Sequence, residues 1–449
     1  MRSTARQRAW YFYDWANSAY ITTTATVILG PYLTSLANRA ACPDLEAGQV
    51  CTNTVNLLGF AVLPGAVHPF LITISTIITL VALLIIGVVA DRSAHPQWWL
   101  GGLAWVGAAA ASAMFFLDGT NWQLGAVLMI IANLCVGTSQ VIYDGILVRI
   151  AAPDDRDRVS SRGWALGYLG GGLLLALNLV LMTGYESFGI SYGLAIRLSL
   201  LSAGLWWGLF TLIPVLGLRS LPPRALDELQ LRADVRRNPV RQLANTFADL
   251  RNYPHTLLFL AAYLFYNDGI QTVIGQSSLY AQSELRMSTS QVMITFLLTQ
   301  FVAFFGALLF GRVAGRLGAK RTVLIGIGIW FAVVAVAFFL PAGVFGALLG
   351  LGAAIGLVMG GTQALSRSMY SQLVPKGREA EYFSFYQAME RGTSWLGTLS
   401  FALVFQFSHS YRLAIVALVV FFLVGGLLLT RVDMRKGILQ AGNELPKVL

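Results

Sequence analysis

Long apolar runs recur from one end of this chain to the other, each about the length a helix needs to cross a lipid bilayer. Their approximate limits are 10–37, 69–90, 97–117, 122–149, 160–183, 192–217, 255–281, 291–311, 322–340, 343–372, 383–407 and 411–430. A spanning helix takes roughly 20 mostly apolar residues, a barrel strand about 9–11. Lipid offers no hydrogen-bond partner to the backbone, so only helices and closed barrels span it. Runs this long select helices. The fold class is therefore an all-α membrane protein with about 12 transmembrane helices. Charged residues make up 12% of the chain, against about 25% in a soluble domain.

The charges orient the bundle. Arg92, Arg149, Arg156, Arg158, Arg162, Arg312, Arg316, Lys320, Arg321, Lys376 and Arg378 fall on the side of the N-terminus, as do seven arginines of the central loop and Arg431, Arg435 and Lys436 of the tail. The other side has few, among them Arg39, Arg286 and Arg412. By the positive-inside rule both termini and the central loop are expected in the cytoplasm. The net charge of +10 is spent on this orientation, and no nucleic-acid partner follows from it. An Arg-rich, Lys-poor composition points to a bacterial inner membrane. The first run, preceded by Arg2, Arg6 and Arg8, is too long for a signal-peptide core and lacks a small-residue cleavage site, so it is expected to be retained.

Two loops are long, 38–68 and 218–254. In the second, Asn238-Pro239 reads as a helix start, and Val240, Leu243, Phe247 and Leu250 follow at helical spacing, which suggests an amphipathic helix on the cytoplasmic leaflet. The first carries Cys42 and Cys51, which form a disulfide or remain free according to the compartment they face. Cys135, in an apolar run, reads as a packing residue.

The halves repeat. Gly87-Val-Val-Ala-Asp91-Arg92 matches Gly311-Arg-Val-Ala-Gly315-Arg316, Tyr192-Gly-Leu-Ala-Ile matches Tyr411-Arg-Leu-Ala-Ile, and Gly137-Thr-Ser-Gln140 with Pro153 matches Gly361-Thr-Gln363 with Pro375. Each pair keeps its place in a six-helix unit. The expected organisation is a six-helix bundle over 1–217, a cytoplasmic loop over 218–254, a second pseudo-symmetric bundle over 255–431 and a cytoplasmic tail over 432–449. A parallel repeat of this kind places a substrate site near the midplane between its halves.

On these motifs the chain resembles the major facilitator superfamily. Through Tyr13-Asp14-Trp15-Ala16-Asn17-Ser18, Phe265-Tyr266-Asn267-Asp268-Gly269, and Gly361-Thr-Gln-Ala-Leu-Ser-Arg367-Ser with Pro375-Lys-Gly-Arg-Glu379, it resembles the branch of the fungal vacuolar amino-acid effluxer of autophagy. The resemblance implies alternating access, with the first, fourth, seventh and tenth helices lining the cavity. It also implies that Gly87, Asp91 and Arg92, and the second copy Gly311 and Arg316, form a conformational motif, with Asp91 near a helix N-terminus of the other half. Such a terminus carries roughly half a positive charge. The motif is incomplete in each copy, because Ser93-Ala-His95-Pro96 lacks the usual Gly and basic pair and Gly315 stands where the second acid would be. Gly163-x-x-x-Gly167-Tyr168-x-x-Gly171-Gly172 resembles the antiporter signature, with Tyr168 in place of a proline. It reads equally as a close contact that moves during alternation and as plain helix packing.

Ionisable residues inside apolar runs are expensive and point to a pathway or an ion. Asp14, Asp144, Arg367, Glu390 and Arg391 all fall in the half of the bilayer nearer the termini, given a helical rise of about 1.5 Å per residue. Arg367 is expected to pair with Asp14 or Asp144 across the halves when the cytoplasmic side is closed. Breaking that pair would load and release a proton, since burial favours a neutral carboxyl and an adjacent guanidinium favours the charged one. The competing reading is a static salt bridge. Asp14, Asp144, Arg367 and Glu390 are therefore assigned to proton coupling and gating. Tyr13, Asn17, Gln140, Tyr266, Asn267, Asp268, Gln271 and Gln363 are assigned to a polar cargo site, with Asp268 facing a substrate ammonium group. For the amides, interhelical hydrogen bonding is an equal alternative. Arg197 is expected to snorkel outward.

The expected function is secondary transport of a small organic solute, amino acids first, by proton-coupled efflux, carried out by a monomer with the lipid bilayer and protons as its other partners. A lipid or lysolipid translocator and a non-transporting receptor or assembly factor are the alternatives. An enzyme is not expected: His68, His95, His255 and His409 are scattered near loops, with no metal spacing, nucleotide loop or cofactor motif.

Overall fold

The structure is a computed structural model that describes residues 3–43, 51–222, 249–392 and 395–449. Among the described residues, ten helices are long and apolar enough to cross a membrane: Pro64–Asp91, Pro96–Phe116, Trp122–Ile150, Pro153–Thr183, Tyr192–Gly217, Pro254–Ser283, Thr289–Leu317, Ala319–Phe338, Phe345–Leu373 and Tyr411–Arg431. They are the second to tenth and the twelfth of the expected spans. The first is assembled from Ala5–Ala19, a π-helical stretch Tyr20–Ile28, and Leu29–Ala41. The eleventh contributes Glu379–Gly392 and Trp395–Ser408. This is the major facilitator fold.

The sequence supplies the helix starts. Thr4 and Gln7 form a capping box at the first helix, and Ser288 with Gln291 forms another at the eighth. Ser191 caps the sixth. Proline occupies the first turn of the second, third and seventh helices, where its missing N–H is no loss. The faces turned to lipid remain apolar and exposed, as at Ile77, Val81, Phe305 and Leu427.

One local feature was not expected: Val55–Leu57 and Phe60–Val62 pair as an antiparallel hairpin within the first long loop. Of the two alternatives left open for Cys42 and Cys51, the structure has the disulfide. The expected helix in the central loop lies outside the described residues from Asn238 to Phe247. Leu250–Asn252, which would have closed it, is a single 3₁₀ turn.

The repeat is visible in how the halves meet. The second helix packs on the start of the eleventh, and the eighth packs on the fifth. Glycines permit both approaches. A Cβ on Gly87 would lie 2.8 Å from the Ala380 carbonyl oxygen, and one on Gly311 would lie 2.7 Å from Ser161.

Candidate functional site: a clamped arginine between the halves

Arg367 sits on the tenth helix near its inner end and is 1% exposed. Its guanidinium crosses the pseudo-twofold boundary into the N-terminal half. Nη2 lies 3.2 Å from Asp14 Oδ2, and Nη1 lies 3.3 Å from Asp144 Oδ1. Nε donates to the Ser160 hydroxyl at 2.9 Å, and Nη2 donates to the Ser160 carbonyl at 3.0 Å. Trp10, Tyr143 and Trp164 surround it, with ring centroids 4.9, 5.3 and 5.4 Å from Cζ. Arg supplies a planar fork of donors that stacks on aromatic faces. The site uses the fork and the stacking together.

Each carboxylate is fixed a second time. Tyr143 donates to Asp14 Oδ2 at 2.7 Å, while its ring stacks on Trp10 at 4.1 Å. Gln387 of the eleventh helix donates to Asp144 Oδ2 at 2.8 Å and to Glu390 at 3.2 Å from the same nitrogen. Gln140 approaches Asp144 at 3.4 Å and accepts from Asn17 at 2.9 Å. Tyr263 donates to Glu390 at 3.2 Å. Asp14, Asp144 and Arg367 thus form a buried trio, and Asn17, Gln140 and Glu390 join it through hydrogen bonds.

The other expected residues are placed as follows. Tyr13 donates to Ser139, Tyr266 is bonded to Ser366, and Tyr168 donates to Gln363. The amides Asn17, Gln140 and Gln363 are buried and engaged between helices rather than lining an open surface. Asn267 and Asp268 are buried on the seventh helix away from the trio, and Gln271, one turn on, is partly exposed. Arg391 donates to Gln387 at 3.1 Å. Gly163, Gly167, Gly170 and Gly171 face Trp10, Asp14, Trp15, Ser18 and Thr22 of the first helix, while Gly172 faces Gln300 and Phe301 of the eighth, so this glycine run packs helices inside one half and meets the other half at its end. Arg197 reaches outward but ends in an ion pair with Asp118 at 2.8 Å. Arg316 is exposed.

Both oxygens of Asp91 accept backbone N–H groups at the start of the eleventh helix, from Ala380 at 3.0 Å and Glu381 at 2.7 Å. This satisfies two N–H groups that lack partners at any helix start. Further bonds cross the boundary at the same end. Arg156 donates to the Ser371 carbonyl at 2.7 Å, and Gln372 donates to the Pro153 carbonyl at 2.9 Å. Ser368 donates to Asp157 at 2.5 Å, and the Lys447 backbone N–H donates to Asp154 at 2.6 Å. All these contacts lie on the terminal side of Tyr168–Gln363, so the halves are closed at the end that carries the termini.

Sequence reasoning missed Trp10, Ser160, Trp164 and Gln387 in the trio's surroundings. It counted Arg156 only as an orienting charge. The aromatic and hydroxyl residues carry no signal that separates them from ordinary helix packing.

Comparison with known proteins agrees with this architecture. A family model described as "Vacuole effluxer Atg22 like" matches residues 2–442. An uncharacterized MFS-type transporter, YxiO, of Bacillus subtilis (strain 168) is 29% identical over 449 residues, covering 99% of each chain. Autophagy-related protein 22-2 of Emericella nidulans is 24% identical, covering 82% of this chain and 76% of its own. Among solved structures, a point variant of the E. coli fucose:proton symporter FucP superposes with a TM-score of 0.68 at 13% identity, over 96% of this chain and 98% of its own. The human organic anion transporter MFSD10 gives 0.67 at 14% identity, over 95% and 100%. The chain belongs to the vacuole effluxer Atg22-like family of major facilitator transporters.

Proposed function

We propose that this transporter exports a small organic solute, with amino acids as the proposed class, and that proton movement drives the cycle. The carrying observation is the Arg367 clamp. Two carboxylates share one guanidinium, so the trio holds an uncompensated negative charge when both are ionised. Breaking a buried pair by removing one partner is strongly unfavourable, about 3–5 kcal/mol. When the terminal end opens, Arg367 withdraws with the C-terminal half and leaves Asp14 and Asp144 behind. A proton arriving on either carboxylate offsets that cost and couples opening to proton binding. The membrane potential adds roughly 2.3 kcal/mol per charge per 100 mV.

The proposed state is outward-facing, with the closed end in the cytoplasm. The basic side of the bundle supports that orientation, as does the disulfide at the opposite end, since such bonds persist in oxidising compartments. Outward transport rests on the family description, and the plasma membrane of a bacterium is the proposed location. Uptake into proteoliposomes loaded with amino acids, with and without a pH gradient, tests the reading. Transport that ignores the gradient removes the coupling, and transport of none of the amino acids removes the cargo class.

A further inference from the structure

The two halves place a carboxylate at matching positions and treat it differently. In the N-terminal half Asp14 of the first helix faces glycines of the fifth, and Arg367 neutralises it. In the C-terminal half Asp268 of the seventh helix faces Gly397 of the eleventh. The Gly397 backbone N–H donates to Asp268 Oδ2 at 2.7 Å. Among the described residues no basic side chain pairs with Asp268, and Oδ1 is buried without a partner.

Other polar atoms gather at this spot. Thr272 follows Asp268 by four residues and so shares its helix face. Its hydroxyl is likewise buried without a partner, as are both polar atoms of Asn267. Asp268 and Asn267 are each 1% exposed and Thr272 is 2% exposed. A Cβ on Gly397 would fall 2.3 Å from the Thr272 hydroxyl oxygen and 3.2 Å from the Asp268 carbonyl oxygen. Only glycine lets the eleventh helix approach this closely.

A buried carboxylate needs a counter-charge, and buried polar groups need partners. A proton on Oδ1 would cancel the charge and could donate to the Thr272 hydroxyl, but that hydroxyl's own hydrogen would still lack an acceptor. A hard cation draws on several oxygens at once. We propose that Asp268 and Thr272 bind a sodium-sized monovalent cation between the seventh and eleventh helices. This site is separate from the proton-coupling trio and goes beyond the function proposed above.

The test is binding of radiolabelled sodium to the purified full chain, with potassium and methylammonium chloride as competitors. It needs no cargo and no gradient, so its outcome is independent of the transport assay. The expected result is saturable sodium binding that is lost in Asp268→Asn and weakened on the order of tenfold in Thr272→Val. The Thr272→Val variant removes one oxygen and keeps the shape, which guards against a folding failure in Asp268→Asn. Absence of saturable binding in the wild type, or binding unchanged in both variants, overturns the proposal. Methylammonium displacing sodium at lower concentration than sodium itself also overturns it and gives the carboxylate to a cargo ammonium group. A carboxylic-acid infrared band lost in Asp268→Asn, without sodium binding, overturns it in favour of a proton.

Discussion

Arg367 and Asp14 stand 353 positions apart in the chain and 3.2 Å apart in space. Asp144 completes the clamp from the same half as Asp14. One side chain of the C-terminal half therefore holds two helices of the other.

Arg367→Lys is expected to abolish transport although it keeps the charge. Lysine cannot reproduce a fork that serves Asp14, Asp144 and Ser160 together. Arg367→Ala should also lower the thermal midpoint of the purified protein, because two carboxylates are left buried, at a cost of about 3–5 kcal/mol. Initial rates in proteoliposomes and a melting curve check both, and wild-type rates in Arg367→Lys would contradict the first.

Asp14→Asn and Asp144→Asn separate coupling from a static bridge. At least one should keep downhill exchange and lose its dependence on a pH gradient. If both variants retain the wild-type pH dependence, the trio is structural.

Gly87→Val and Gly311→Val are expected to prevent closure of the terminal end, because each new side chain would meet the opposite half at under 3 Å. Asp91→Asn should weaken the same closure through the bonds to Ala380 and Glu381. Ser371→Cys, at a position buried in the closed state, reports the change. With Cys135 replaced by serine, its labelling should rise severalfold in the glycine variants. Unchanged labelling would mean that the end closes in spite of them.

The Cys42–Cys51 bond gives a topology test. After reduction of intact cells, a membrane-impermeant maleimide should label these two thiols and leave buried Cys135 unlabelled. Labelling only after the membrane is broken would invert the orientation.

The trio was legible in the sequence because charges inside apolar runs are rare. Asp14, Asp144 and Arg367 could be placed at one depth by counting residues along helices. The repeat then put them on facing halves. Gln387, Ser160 and Trp164 were not legible, since an amide, a hydroxyl or an indole in a spanning helix is commonplace. The cargo amides illustrate the limit in the other direction. Asn17 and Gln140 stood out as polar, yet in this state they bond to each other. Nor does any pattern of side chains announce the hairpin at Val55–Val62. It runs through Leu58, which adopts a left-handed backbone conformation that branched side chains seldom take.

Wider hydrogen-bonded rings between Tyr20 and Ile28 turn the first helix into a screw thread with slack in it. Slipping by one residue into the tighter winding rotates everything beyond by about 100° around the axis. Tyr32 and Leu33 would swing round while Asp14, below the slack, stays in the grip of Arg367. Such a slip would have to pull Tyr32 from the Leu117 carbonyl at 2.7 Å and both side chains from their buried seats, which sets its cost at the outer end alone.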